Sequence, residues 1–406
     1  MSCNCRFRNE LRRANIGYVP KQAVYLDYNA TTPPDPAVLG AFDRACRKGW
    51  GNPSSLHVCG LDAWEIVEDT REKLSSYFGC GRDGFLFCSS GSEGLFAGMT
   101  GFLGRDTSRV PVTTVTEHAA VRHAMRICGL AGNKTETLGV DSSGKLDLPG
   151  LRRAVEGNEK TLLIFSPVNH ETGAVQPVKK IASAVKNQDC LVLLDGVQAA
   201  ARLSPEKWVP FCDAFVASGH KLYAPKGTAC LWSSRKVRLR PHRFGGSQEG
   251  GLFPGTENVP GIASFGAAVG ILEERFTGER KHTATLTAEG WKILSGRRFP
   301  VLKESPDDAV PGVLCVSLPW AKNMENLMHM LNRELICVSR FSACTSSVTG
   351  PSRILLEMGV PKERAAASLR ISLGRWSTRQ DFFRLAEALE SRSEERRVGK
   401  ECATGC

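Results

Sequence analysis

Six short apolar runs, separated by segments long enough to be helices, constrain this chain more than any other feature: Gly84–Cys88, Pro111–Val115, Thr161–Ser166, Cys190–Leu194, Ala214–Ala217 and Thr228–Trp232. A strand with one wet face alternates apolar and polar residues. Runs this continuous imply strands covered on both faces, as in βαβ units whose crossover helices pack against a sheet. Gly60–Phe78 reads as one amphipathic helix, with Leu61, Trp64, Ile66, Val67, Leu74 and Phe78 on its apolar side. The expected fold class is α/β.

After about residue 270 the pattern changes. A helical stretch from Phe265 to Phe276 leads to strands at Val313–Leu318, Leu335–Val338 and Ala367–Ser372, with helices at Asn323–Asn332 and Gln380–Leu389. We therefore expect a basic leader over 1–23, a large domain over 24–270 that begins with the short strand at Val24–Tyr28, and a smaller α+β domain over 271–391. The glycine-rich stretch Gly245–Gly255 reads as a loop. Arg392–Cys402, RSEERRVGKEC, resembles the conceptual translation of a sequencing-adapter oligonucleotide, so 392–406 is read as a non-native tail and the authentic terminus is not expected in this sequence.

Composition narrows the class of partner. The 406 residues carry 53 Lys+Arg against 42 Asp+Glu, a net charge of +11. The tail contributes +1 of this and Met1–Lys21 contributes +4, which leaves +6 spread without a basic stripe or a zinc-finger, RRM or basic-zipper pattern. Direct binding of nucleic acid is not expected. Nor is a membrane span, since no apolar run approaches the roughly 18 residues needed. Fifteen cysteines cannot all pair within one chain, and the leader has arginines but no apolar signal core, which fits a reducing cytoplasm.

Polar residues gather where α/β sheets place ligands, outside the carboxyl ends of strands. Cys88-Ser89-Ser90-Gly91-Ser92-Glu93 passes from strand to helix, where backbone N–H groups can hold a phosphate. Asp195 directly follows a buried strand and requires a donor or cationic partner. Ser218-Gly219-His220-Lys221 ends the next strand, and His118 leaves another. A lysine there can form a Schiff base, and a carboxylate one strand away can pair with a protonated pyridine nitrogen, the arrangement that makes pyridoxal phosphate an electron sink. Taken singly, each residue has a plainer role as a helix cap, a packed imidazole or a solvated amine.

In this order the motifs resemble the fold-type I, class V aminotransferase group, and within it the cysteine desulfurases of NifS/IscS type. The resemblance runs from about Tyr25 to Leu389 and rests on YLDYNATTPPDPAV, GNPSSLH (Gly51–His57), the TEHAAV run at His118, the DGVQ run at Asp195, SGHKLYAPKG (Ser218–Gly227), GTENVP (Gly255–Pro260), SACTS (Ser342–Ser346) and SLRISLGR (Ser368–Arg375). It implies a mostly parallel seven-stranded sheet and pyridoxal 5′-phosphate as cofactor. Lys221 would carry that cofactor, His118 would stack on it and relay protons, Asp195 would pair with its ring nitrogen, and Gln198 would donate to its phenolic oxygen. Gly91, Ser92, Ser218 and His220 would hold the phosphate. Thr256 would reach the phosphate bound by a neighbouring subunit, which implies a homodimer. Arg370 would grip the substrate carboxylate, a bidentate task suited to a guanidinium.

Cys344 is the expected nucleophile. It lies in a small polar loop, Phe341–Ser347, whereas Cys128, Cys230 and Cys315 look like core and only Cys59 and Cys80 are loop rivals. The implied reaction takes L-cysteine to L-alanine: Lys221 moves the α-proton, and the Cys344 thiolate, helped by a base such as His118, takes the sulfur as a persulfide for a sulfur-acceptor protein, an iron–sulfur scaffold or a thiolation enzyme. Three departures from the family pattern stand out. His170 replaces the second Asn of Val-Asn-Asn-Glu in contact with cofactor and substrate, the glycine-rich loop has Gly250 and Phe253 where arginines are usual, and Leu95 and Phe96 replace a polar pair. Competing readings are a selenocysteine lyase, another enzyme of the class V group, and a partner-binding paralogue without turnover.

Overall fold

Residues 23–104, 108–235, 237, 239–241, 244–340 and 350–404 are described by a computed structural model. The short strand β1 (Val24–Tyr25) comes first among the described residues and is followed by the strands of a large sheet: β2 (Phe85–Cys88), β3 (Arg109–Thr114), β4 (Glu136–Leu138), β5 (Lys160–Phe165), β6 (Asp189–Asp195), β7 (Ala214–Ser218) and β8 (Ala229–Ser233). Their order across the sheet is β2-β8-β7-β6-β5-β3-β4. Every pair from β7 to β4 is parallel, and β8 runs antiparallel to both β7 and β2. The six apolar runs are thus six strands of a seven-stranded sheet. The seventh strand that the resemblance implied is β4, which the apolar runs did not locate: it is a three-residue edge strand, Glu-Thr-Leu, of which only Leu138 is buried.

Both faces of the sheet are covered, which explains the unbroken apolar runs. Leu163, Phe165, Leu194, Phe215 and Trp232 point into one core, against the helices Val58–Phe78, Leu148–Glu156 and Val178–Val185. Their neighbours Leu162, Ile164, Leu193, Val216 and Leu231 point into the other, against the helices Gly91–Leu103 and Ala119–Leu130. This is the period-two alternation of a strand with apolar residues in both phases. Phe215 centres the first core, with ring centroids 4.8 Å from Phe78, 5.1 Å from Trp208 and 5.3 Å from Trp232.

The C-terminal part holds an antiparallel sheet of β9 (Leu302–Lys303), β10 (Val313–Ser317) and β12 (Ser368–Ser372), while β11 (Ile336–Cys337) pairs in parallel with β1. A separate core forms here from residues that include Val24, Leu26, Val316, Ile371, Phe382 and Leu389. One helix of 37 residues, Val259–Ser295, serves both cores: Val259, Ile262, Phe265, Val269 and Leu272 belong to the first, Leu286 and Leu294 to the second. The expected boundary at residue 270 falls inside it. The last helix, Arg379–Thr404, packs Phe382 and Leu385 into the second core and continues through the adapter-like segment, with Arg392 ion-paired to Glu334 at 2.6 Å. Among the described residues, no helix is long and apolar enough to cross a membrane.

Candidate active site

The carboxyl ends of β2, β5, β6 and β7 converge, together with the turn after β1 and with β12, on one cavity of about 170 Å³. Of the residues singled out in the sequence, Gly91, Ser92, His118, His170, Asp195, Gln198, Ser218, His220, Lys221 and Arg370 all line it.

Lys221 is delivered by a single 3-10 turn, Gly219–Lys221, at the end of β7. Its Nζ donates to the carbonyl oxygens of Asn29 and, at 2.8 Å, of Ala30, so the amine is held by the turn that follows β1. Asp195 ends β6 and is buried, with Oδ1 accepting from the Val197 amide at 3.1 Å. Burial raises its pKa, and the nearby His118 opposes that rise. The His118 Nδ1 accepts from the Ala120 amide at 3.1 Å as the cap of the helix Ala119–Leu130, so a neutral ring carries its proton on Nε2. Desolvation lowers the His118 pKa and favours that neutral form. His170 packs edge-on against His118, with centroids 5.2 Å apart at 77°, and burial drives its pKa well down. The replacement of asparagine has therefore placed a second uncharged imidazole in the cavity.

Arg370, on β12, is 2% exposed. Its Nη2 is 2.7 Å from Asp27 Oδ1, and its Nη1 donates to the His170 carbonyl at 3.0 Å. Elsewhere in the cavity lining, Ser90 caps the helix Gly91–Leu103 by accepting from the Glu93 amide. A Cβ on Gly91 would lie 2.9 Å from Val197, so glycine keeps the approach to the helix start open. Ser218 Oγ is buried here without a hydrogen-bond partner among the described residues. The His220 Nδ1 lies 3.1 Å from Thr31 Oγ1.

These residues fit pyridoxal phosphate. An unpaired buried hydroxyl and a helix N-terminus suit the phosphate, a buried carboxylate suits a protonated ring nitrogen, and the amine of Lys221 shares the cavity and interacts by charge with both Asp195 and Asp27, the partner of Arg370. One expected residue, Thr256, stands apart from the cavity. Thr256 is exposed and lines a different cavity of about 200 Å³, together with Glu93, Glu249, Phe253 and Glu257. The loop around Gly250 and Phe253 is anchored by Glu249, which pairs with Arg71 at 2.7 Å and accepts from the Phe87 amide at 2.9 Å. Cys344 lies outside the described residues. Of the other cysteines, Cys128, Cys230 and Cys315 are buried, and burial pushes the Cys80 thiol up to about 12.

Sequence reasoning missed Asn29. Its carbonyl accepts from both Lys221 and Gln198, and its Nδ2 donates to the His170 carbonyl at 3.0 Å. The available signal was a polar residue directly after a short strand, inside the YLDYNATTPP landmark.

Burial gives the site a pH signature. The His220 pKa is lowered from 6.5 to about 4, with desolvation as the main cause and Lys221 second. A depressed histidine contributes stability in full above its unfolded pKa of about 6.5, and loses that contribution as pH falls towards 4. Urea midpoints measured from pH 7 down to pH 4.5 should fall, and His220→Gln should flatten that fall.

The fold and this cavity define a class, and comparison with known proteins identifies it: the chain belongs to the class-V aminotransferase family, whose model matches residues 24–385. Within that family its relatives are cysteine desulfurases. It is 34% identical over 374 residues to the cysteine desulfurase of Nostoc sp., covering 90% of this chain and 92% of that one. It is 30% identical over 373 residues to the cysteine desulfurase IscS of Dictyoglomus turgidum, covering 91% and 94%. A solved structure of a NifS-like protein superposes with a TM-score of 0.83 at 29% identity, covering 91% of this chain and 99% of that one.

Proposed function

We propose that this protein is a pyridoxal-phosphate-dependent cysteine desulfurase that converts L-cysteine to L-alanine and passes the sulfur, through a persulfide on Cys344, to an acceptor protein. The observation that carries the reading is the convergence of Lys221, Asp195, His118 and Arg370 on one cavity from four separate elements. When bound, pyridoxal phosphate supplies an electron sink for charge that develops at the substrate α-carbon. Arg370 orients the substrate through its carboxylate. Lys221 takes the α-proton and returns it. Cys344 gives up its thiol proton and takes the substrate sulfur as the Cβ–S bond breaks with its electron pair left on carbon. Neutral His118 delivers its Nε2 proton to that carbon to complete the methyl group of alanine and is restored by the proton from Cys344. Asp195, kept from water, holds the ring nitrogen protonated.

A homodimer belongs to the same proposal. Trp50, Leu56, Val58, Leu61 and Trp64 expose a run of large apolar side chains along residues 50–64, with Leu56 93% exposed, and a second copy is the occupant this surface suits. Thr256, outside its own cavity, is then available to the site of the partner. An iron–sulfur scaffold or thiolation enzyme in a reducing cytoplasm would be the acceptor.

The test is to incubate the purified protein with pyridoxal phosphate, L-cysteine and a reductant. One alanine should form per sulfide released. Alanine formed only from selenocysteine would make the protein a lyase for that amino acid, and no alanine from either would leave a partner-binding paralogue.

A further inference from the structure

Three residues that line the main cavity each carry a buried side-chain polar atom with no hydrogen-bond partner among the described residues: Ser218 Oγ, Arg370 Nε and Asn29 Oδ1. A buried polar group left unpaired is costly, so each implies a partner in the occupied site. The first suits the cofactor phosphate and the second a substrate carboxylate. The third has no role in the reading above.

The orientation of the Asn29 amide follows from its neighbours. Its Nδ2 donates to the His170 carbonyl, and turning the amide over would set two carbonyl oxygens against each other. The amide atom left without a partner is therefore an acceptor, on a cavity-lining residue only 2% exposed. Arg370 Nη1 donates to that same His170 carbonyl. A free donor, Arg370 Nε, and a free acceptor, Asn29 Oδ1, thus belong to two side chains anchored on a single backbone oxygen. Lys221 Nζ rests on the Asn29 main-chain carbonyl, so an amine that takes the place of Lys221 arrives beside the same residue. Bound pyridoxal phosphate would not supply the missing donor, since its ring nitrogen would pair with Asp195 and its phosphate and ionised ring oxygen offer lone pairs.

We propose that Asn29 is a substrate-binding residue whose side-chain carbonyl accepts a hydrogen bond from the α-ammonium group of the amino-acid substrate, opposite the carboxylate grip of Arg370. This deepens the desulfurase reading and rests on it for the identity of the substrate. Carboxylate and ammonium sit on one carbon in every α-amino acid, and the pair Arg370 and Asn29 presents a donor and an acceptor that match them. The site then selects zwitterions over simple thiol acids.

Paired ligands that differ only in the amine test this. Asn29→Ala should raise the KM for L-cysteine about tenfold. Inhibition by 3-mercaptopropionate, which keeps the carboxylate and thiol but has no amine, should stay within about twofold, as should the Kd for pyridoxal phosphate. Calorimetry without turnover gives the same comparison: L-alanine should bind the variant about tenfold more weakly than the wild type, with propionate unchanged. Equal weakening of both ligands would reduce Asn29 to a structural support of His170 and Arg370. A loss confined to pyridoxal phosphate would assign the atom to the cofactor, and no change at all would leave it to water. Each of these outcomes overturns the proposal. If Asn29→Ala does not fold, Asn29→Ser, with a shorter acceptor, is put through the same pairs and should show a smaller loss confined to the amine-bearing ligands. A wild type that makes no alanine from cysteine refutes the desulfurase reading alone, because the alanine and propionate pair still decides the role of Asn29.

Discussion

Lys221→Ala should lower alanine formation from L-cysteine by about 10,000-fold. Among the described residues of the cavity lining Lys221 carries the one amine, and that amine is asked to do two things, to hold the cofactor covalently and to move the α-proton. Neither task has a substitute nearby. His118 and His170 are both pushed towards the neutral form by burial, but His118 Nδ1 is committed to the Ala120 amide and the His170 backbone is committed to Arg370 and Asn29. The variant should still take up pyridoxal phosphate through Ser218, the helix start at Gly91 and Asp195, yet lose it on dialysis faster than the wild type. Cys344→Ser should fail differently, retaining the bound cofactor and the spectral response to added L-cysteine while releasing no sulfide. Alanine formation by Lys221→Ala within tenfold of the wild type would remove Lys221 from the mechanism, whereas normal sulfide release by Cys344→Ser would remove the persulfide step.

How much of this could be read in the sequence depended on whether the deciding interaction was local. The strands β5 and β6 were legible because burial on both faces removes polar residues from the run. The direction of β8 was not: nothing in Ala229–Ser233 distinguishes an antiparallel strand from a parallel one, since direction is set by the connections to β7 and β2. The helix Val259–Ser295 was seen only over Phe265–Phe276, because its apolar face serves one core at its start and another at its end, and no single stripe runs its length. In the site, Asp195 and Lys221 stood out as charges at the ends of apolar runs, where a polar residue demands a reason. Asn29 did not, because its significance lies in partners 141, 169 and 192 residues away. The same holds for the pair Asp27 and Arg370, 343 residues apart, which local pattern cannot reveal.

That pair sets the second large effect. Arg370→Met should cost about 3 kcal/mol of stability at neutral pH, because the Asp27 carboxylate then loses its cation in a largely desolvated place. It should also reduce kcat/KM for L-cysteine by roughly 100- to 1,000-fold through loss of the carboxylate grip. The two losses have different causes and can be separated. In the wild type, burial raises the Asp27 pKa while Arg370 opposes the rise by charge and by hydrogen bonding. Without the guanidinium, burial acts with less opposition and the carboxyl moves further up. A carboxyl whose folded pKa lies above its unfolded value, about 3.9, contributes fully only below that value and loses the contribution as pH rises through the folded pKa. The stability deficit of Arg370→Met should therefore shrink as pH is lowered from 7.5 to 5. Adding Asp27→Asn removes the charge altogether, so the double variant should recover most of the stability at pH 7.5 and none of the activity. Urea unfolding of the wild type, both single variants and the double variant at the two pH values checks this. A deficit equal at both values and unrelieved by Asp27→Asn would mean that packing around β12, rather than the ion pair, holds Arg370 in place.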